Sequence, residues 1–164
     1  MNRTLRHLMT AGRSLRRLFP AGTLAGIEAA IRAAEREHSG EIRFAVESCL
    51  HFRHLRSGRD ARRRALDLFS RLRVWDTAYN NGVLIYLLLA DRDIEIVADR
   101  GFNGKVTPAE WESVCRCMET EFAAGHFETG ALTGIHRVSE LIAPHFPPAP
   151  GDRNELPDAP VVIR

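Results

Sequence analysis

The segment from Asn80 to Gly101, NNGVLIYLLLADRDIEIVADRG, constrains the fold more than any other part of the chain. An apolar run from Val83 to Ala90, a short polar turn and a second alternating run predict two antiparallel strands joined by a tight turn. The first strand is apolar on both faces, which is typical of a strand at the centre of a sheet covered by helices. The segment therefore predicts a central hairpin with polar residues at both ends.

The flanking sequence predicts helices on either side of this hairpin. Apolar spacing indicates helices over residues 22–38, 60–73, 107–124 and 128–142, and alternation indicates a strand over residues 41–48. Thr107, Pro108 and Glu110 form a capping-box pattern at the start of one helix. The strand-helix-strand order makes the first two strands parallel, and the tight turn makes the third antiparallel. We therefore expect an α/β fold, a three-layer α/β/α sandwich around a small mixed sheet of three or four strands.

A chain of 164 residues suits one domain with tails. Residues 1–20 form a basic segment whose apolar spacing indicates a short amphipathic helix. The domain is assigned to residues 21–145. Residues 146–164 form a proline-rich C-terminal tail, which we expect to be extended and loosely ordered.

The composition indicates a cytoplasmic protein. No stretch approaches the roughly 18 apolar residues of a transmembrane segment, and arginines interrupt the apolar positions that a signal peptide would need. The three cysteines show no paired zinc-ligand spacing, so we expect reduced thiols.

The charge pattern bears on partners. A net charge of +2 is too small to indicate nucleic-acid binding by itself, and we do not expect a nucleic-acid partner. Two arginine-rich stretches, residues 3–17 and 53–64, suit contact with a protein or an anionic membrane surface. The alternative is that both stretches are simply solvated.

Polar side chains are predicted to meet at one rim of the sheet, where the first two strands start and the third ends. Carboxylate and amide oxygens suit Ca²⁺ or another divalent cation, and an arginine suits a phosphorylated ligand. The metal-ligand candidates are Glu41, Asp76, Asn80, Asn81 and Asp99, and the ligand-binding candidates are Asn80, Asn81, Asp99 and Arg100. The alternative is that these side chains shape loops and bond the backbone. The sequence indicates no catalytic residue.

Four stretches, in order, resemble the TPM domain family. They are SGEIRFAVES (39–48), ALDLFSRLRVWDTAYNNGVLIYLLLADRDIEI (65–96), RGFNGKVT (100–107) and FAAGHFETGALTGI (122–135). The resemblance spans roughly residues 22–143 and implies an α/β/α sandwich. Family members include thylakoid proteins with acid phosphatase activity, calcium-binding bacterial proteins and accessory proteins of membrane receptors.

The resemblance implies a binding or accessory module for membrane-protein or envelope assemblies, in a stand-alone cytoplasmic branch of the family. The alternative that it implies is a phosphatase-like hydrolase that depends on a divalent cation. Two positions depart from the family pattern. Asn80 stands where the family often has aspartate, and Asp99-Arg100-Gly101 stands where it often has Gly-Tyr-Gly. An amide is a weaker ligand than a carboxylate for a hard cation.

Overall fold

The computed structural model describes His7 and residues 13–51 and 60–163. In this part of the chain, five α-helices and four strands follow one another. They are α1 (Arg13–Leu18), α2 (Ala21–Ala34), β1 (Glu41–Glu47), α3 (Ala61–Arg71), β2 (Gly82–Leu88), β3 (Asp93–Ala98), α4 (Pro108–Ala123), α5 (Phe127–Ile142) and β4 (Val161–Ile163). A short 3₁₀ helix, Arg100–Phe102, lies between β3 and α4. No helix in these ranges is long and apolar enough to cross a membrane.

The strands form one mixed sheet in the order β3-β2-β1-β4. Strand β1 is parallel to β2, with Glu41 opposite Gly82, and it is also parallel to β4. Strands β2 and β3 are antiparallel, with Val83 opposite Ala98, as the hairpin sequence predicts. The central pair, β1 and β2, is buried along its whole length, whereas the edge strands β3 and β4 are partly exposed.

Helices cover both faces of this sheet. One face carries the larger core, which combines side chains of α1, α2, α4 and α5 with alternate residues of β1, β2 and β3. The opposite face packs against α3 and the C-terminal segment, with Tyr86 fully buried at its centre. The predicted α/β/α sandwich is therefore confirmed.

Local sequence signals set two of the helix starts. Thr107 caps α4 through the full capping box, since its side chain accepts from the Glu110 N–H and the Glu110 carboxylate accepts from the Thr107 N–H at 2.7 Å. Asp60 caps α3 by accepting from the Arg63 N–H at 2.8 Å. Each cap satisfies backbone donors that have no partner within the helix.

The inner face of α3 differs from the apolar stripe expected from its sequence. The apolar spacing of this helix predicts that Leu66 faces inward, but Leu66 is 48% exposed, whereas Arg64 is buried. The Arg64 guanidinium donates to both carboxylate oxygens of Glu47, at 2.8 and 3.1 Å. Tyr86 donates its hydroxyl to the same carboxylate at 2.7 Å. Because the inner face of α3 carries a charged residue with a buried partner, its apolar periodicity is interrupted. The sequence pattern therefore predicts the wrong residues for the inner face of this helix.

Both ends of the chain pack more closely than expected. Leu15 and Phe19, in the predicted N-terminal segment, are buried in the main core. The C-terminal tail is extended as expected, but it is not loosely ordered: Leu156 and Asp158 are buried, and β4 pairs with β1. Hydrogen bonds to β1, which is distant in sequence, order this segment, and proline content does not reveal such partners.

Candidate functional site

The strand register brings the predicted rim together. Glu41 begins β1 opposite the start of β2, and its N–H donates to the Asn81 carbonyl at 3.2 Å. The Asp99 N–H donates to the Gly82 carbonyl at 2.9 Å, at the end of β3. The three backbones therefore lie side by side, as the topology predicts, and the side chains decide what the rim can do.

Asn80 and Arg100 contact each other directly. The Arg100 Nε donates to the Asn80 side-chain oxygen at 2.8 Å, and the Gly101 N–H donates to the Asn80 carbonyl at 2.9 Å. Asn80 has a φ of 52°, a left-handed conformation that asparagine tolerates better than most residues. The amide that replaces the family's aspartate thus positions an arginine.

Asn81 faces the protein interior. It is fully buried, and its side-chain nitrogen donates to the Ser39 carbonyl at 2.6 Å. Its N–H donates to the Thr77 hydroxyl at 3.1 Å, which holds the loop before β2. The Asn81 Oδ1 atom is buried without a hydrogen-bond partner. Its visible role is to join the start of β2 to the turn before β1.

Glu41 binds the C-terminal segment. Its two carboxylate oxygens accept from the N–H groups of Glu155 and Leu156, at 3.1 and 3.0 Å. Burial raises the pKa of Glu41, and these two hydrogen bonds oppose the rise. The Glu155 carboxylate in turn accepts from the Ala78 N–H. The C-terminal segment therefore crosses the predicted rim and occupies the carboxylate that was predicted to bind a metal.

The two remaining carboxylates differ in environment. Asp76 is 46% exposed and pairs with Arg73 at its own loop. Asp99 caps the 3₁₀ helix by accepting from the Arg100 N–H at 2.7 Å, while its Oδ2 atom is buried and unpaired. Of the predicted metal ligands, Asn81 and Asp99 each keep one oxygen free of protein donors.

This donor set fits a divalent cation poorly. Calcium takes about 6–8 oxygen ligands, and magnesium requires near-octahedral geometry. The carboxylates of Glu41 and Asp76 are held by protein donors, and the Asn80 oxygen is held by Arg100. Within the described ranges, no group of three or more His, Cys, Asp or Glu side chains is arranged to hold a metal ion. In this arrangement the rim side chains supply too few free oxygen ligands for such a cation.

A second feature of this rim was not anticipated from the sequence. The connector between α3 and β2 exposes two large aromatic side chains, Trp75 at 48% and Tyr79 at 58%. Trp75 precedes the turn from Thr77 to Asn80, and Tyr79 lies within it, next to the Asn80 side chain that accepts from Arg100. We call Trp75, Tyr79, Asn80 and Arg100 the connector surface. The sequence signal that could have indicated this surface is the presence of two aromatic residues in a segment with no apolar periodicity.

The connector is held rigidly behind these side chains. The Val74 N–H donates to the Phe69 carbonyl at 3.0 Å, and the Asn80 N–H donates to the Thr77 carbonyl at 3.2 Å. A Cβ atom at Gly82 would lie 2.0 Å from the Val74 carbonyl oxygen. Only glycine allows this approach, so the backbone packs closely against the start of β2.

A mixed four-stranded sheet with helices on both faces defines this chain as an α/β sandwich domain. The chain belongs to the TPM domain family, because the family model matches residues 15–141, most of its length. This confirms the resemblance seen in the four sequence stretches.

Two solved structures share the fold. The NMR structure of the BA42 protein from the psychrophilic bacterium Bizionia argentinensis has 32% sequence identity and a TM-score of 0.76, covering 87% of this chain and 93% of that chain. The N-terminal domain of a P. gingivalis protein has 17% identity and a TM-score of 0.64, covering 81% and 83% of the two chains. The second likeness concerns the fold alone. No curated protein matches the sequence.

Proposed function

We propose that this TPM domain is a binding module and that the connector surface contacts a protein partner. The main observation is the distribution of exposed hydrophobic side chains. In the described ranges, the large ones are Leu66, Trp75 and Tyr79, and two of them lie four positions apart in one short connector. Scattered exposed apolar residues are ordinary, but neighbouring ones rimmed by polar groups are typical of interaction sites.

The composition of this surface also supports a protein partner. Trp, Tyr and Arg are the residue types enriched among those that dominate binding energy at protein interfaces. Arg100 is exposed, and Asn80 engages only its Nε atom in the bonds described above. The terminal nitrogens of the guanidinium are therefore presented to a partner's carboxylates or carbonyls.

Preorganisation adds to this argument. The backbone hydrogen bonds of the connector and its close contact with Gly82 hold the two aromatic residues in place before binding. A surface that is already ordered loses less conformational entropy on association. A rigid aromatic loop is thus better suited to recognition than a solvated one.

The kind of partner is inferred from the family. We propose a protein of a membrane-associated or envelope assembly, contacted from the cytoplasm, because the TPM family includes accessory proteins of membrane receptors. The arginine-rich stretches 3–17 and 53–64 would add attraction to an anionic surface. Most of both stretches lies outside the described residues. Of the arginines in 53–64 that are described, Arg64 is buried against Glu47 and cannot contribute.

The experiment compares capture of partners by matched variants. Tagged wild-type protein and the double variant Trp75→Ser/Tyr79→Ser would be cross-linked in cells, and recovered proteins would be quantified by mass spectrometry. We expect a specific partner whose recovery falls at least tenfold in the double variant. Leu66→Ser, equally exposed but on α3, is the control and should recover the partner normally. A partner captured equally well by the double variant would contradict the assignment of this surface.

The alternative function is a phosphatase-like hydrolase dependent on a divalent cation. The family resemblance implies it, and among the predicted ligands the buried Asn81 Oδ1 and Asp99 Oδ2 atoms have no protein donor. Hydrolysis of p-nitrophenyl phosphate with and without Ca²⁺ or Mg²⁺ tests it directly. Metal-dependent turnover that is lost in Asp99→Asn would support the enzyme. The absence of turnover with and without metal would contradict the enzyme and favour the binding module.

A further inference from the structure

A groove with a volume of about 550 Å³ runs between the outer edge of β3 and the start of α4. Its walls combine polar and apolar side chains, and the apolar ones include Phe102, Val106, Pro108 and Trp111. The rings of Phe102 and Trp111 meet edge to face, with centroids 5.6 Å apart. The half-buried indole of Trp111 thus forms a fixed aromatic wall.

The charged residues that line this groove are mostly acidic. They are Arg62, Glu95, Asp99 and Glu112. Arg62 pairs with Glu95 at 3.3 Å, so the other two carboxylates of the lining, Asp99 and Glu112, have no cationic partner among the lining residues themselves. Glu112 is exposed on α4, and its contact with Arg116 is long, at 3.6 Å. The groove therefore carries a negative charge near an aromatic wall.

The surroundings of the Cys115 thiol and of the Asp99 carboxylate are consistent with a negative charge in the groove. Burial first, and then the negative charges of Glu95 and Glu119, raise the pKa of the Cys115 thiol to about 12. Asp99 has one oxygen that caps the 3₁₀ helix and a second, Oδ2, that is buried without a partner. A buried carboxylate oxygen without a protein donor keeps its negative charge poorly screened beside the groove, which favours a cation nearby.

The free edge of β3 does not offer a place for an added strand. The Arg62 Nη1 atom donates to the Ile96 carbonyl at 2.6 Å, which occupies the middle of this edge. Edge strands are commonly protected by such a charged side chain. A ligand of this groove must therefore be recognised through its side chain and not through a β-ladder.

We propose that the groove binds an arginine side chain of a partner protein, held between the Asp99 and Glu112 carboxylates and against the Trp111 ring. A guanidinium is planar, stacks on aromatic rings and donates in a fork to carboxylates, so it matches both walls better than a compact ammonium does. The proposal rests on the binding function proposed above, but the groove is lined by none of the residues of the connector surface.

The test uses Trp111 as an internal probe. The chain has two tryptophans, so Trp75→Phe leaves Trp111 as the single indole fluorophore. This protein is titrated with acetyl-Arg-Gly-Arg-Gly-Arg-amide and, separately, with the same peptide carrying citrulline at each arginine. We expect a saturable change in Trp111 fluorescence with the arginine peptide and none with the uncharged citrulline peptide.

Variants locate the contact. Asp99→Asn keeps a capping oxygen for Arg100, and Glu112→Gln changes an exposed position, so both should retain the wild-type circular dichroism spectrum. Each should weaken arginine-peptide binding at least fivefold. Glu140→Gln, an exposed site on α5 with the same change in charge, is the control and should not weaken it.

Three results would overturn the proposal: no saturable change, equal response to citrulline, or equal weakening by Glu140→Gln. The last would mean that only the overall charge matters. Failure of the connector surface is distinguishable, because the cross-linking variants change Trp75 and Tyr79 and leave the groove intact.

Discussion

Leu156 donates its backbone N–H to a carboxylate oxygen of Glu41 at 3.0 Å, across 115 positions of sequence. The other oxygen accepts from the Glu155 N–H, and the Glu155 carboxylate bonds the Ala78 N–H. These bonds fasten the C-terminal segment over the start of β1 and lead it to β4. The family model ends at residue 141, so the fastened segment lies beyond the part of the chain that it matches, whereas Glu41 and Ala78 lie within it.

Glu41→Gln is expected to loosen this segment. A glutamine offers one acceptor oxygen to two backbone donors, and its own N–H₂ group would face the second donor. We expect a loss of about 1.5–3 kcal/mol in docking of the segment, the range for hydrogen bonds to charged groups. Hydrogen exchange of residues 155–163 measures it and should accelerate. Glu37→Gln, at an exposed position just after α2, is the control. Unchanged exchange in Glu41→Gln would contradict the role of the Glu41 carboxylate.

Glu35→Gln is expected to change how stability depends on pH. Burial raises the pKa of Glu35 from its usual 4.5 to about 8, with a smaller opposing effect of the 2.8 Å hydrogen bond from the Ile42 N–H. Between these values the folded protein binds more protons than the unfolded chain. The stabilisation is therefore complete below about pH 4.5 and is lost as the pH rises to about 8.

Urea unfolding at several pH values measures this effect. The wild-type free energy of unfolding should fall by at most about 1.4 kcal/mol per pH unit across that window because of this group. Glu35→Gln, which mimics the protonated carboxyl, should lack this component and be the more stable protein near pH 8. Parallel profiles for wild type and variant would show that Glu35 does not titrate in this way.

Gly82→Ala is expected to be strongly destabilising. The new methyl group would lie 2.0 Å from the Val74 carbonyl oxygen, a contact with backbone that no rotamer change relieves. Overpacking typically costs about 1–3 kcal/mol, and this site should reach the upper end or exceed it. Gly22→Ala is the matched control, because it has no neighbour within 4 Å and lies in the first turn of α2. Chemical denaturation of both variants gives the comparison, and equal stabilities would contradict the steric account.

Arg64→Met is expected to expose the cost of an unpaired buried charge. The Glu47 carboxylate would keep Tyr86 but lose both guanidinium hydrogen bonds, which costs about 3–5 kcal/mol. The double variant Arg64→Met/Glu47→Gln should recover part of this loss, since the charge is removed as well. Asp76→Asn, which breaks the exposed pair with Arg73, should change stability by less than about 1 kcal/mol. A thermal or urea unfolding series distinguishes these, and a double variant no more stable than the single would refute the argument.

Local patterns in the sequence predict most of the fold. The hairpin from Asn80 to Gly101, the capping box at Thr107 and the apolar periodicities predict the order of the elements, because they are local patterns read within one helix or strand. They also predict that Glu41, Asn81 and Asp99 share one rim, since the crossover and the tight turn set the strand directions.

The roles of the rim side chains depend on contacts between residues that are distant in sequence. Glu41 binds the C-terminal segment, Arg64 is buried because Glu47 faces it, and Asp99 lines the groove beside Trp111. Each of these outcomes depends on a partner far away in the chain. A local pattern records the polarity of a residue but not the donor that will meet it, so the use of each carboxylate is settled by packing.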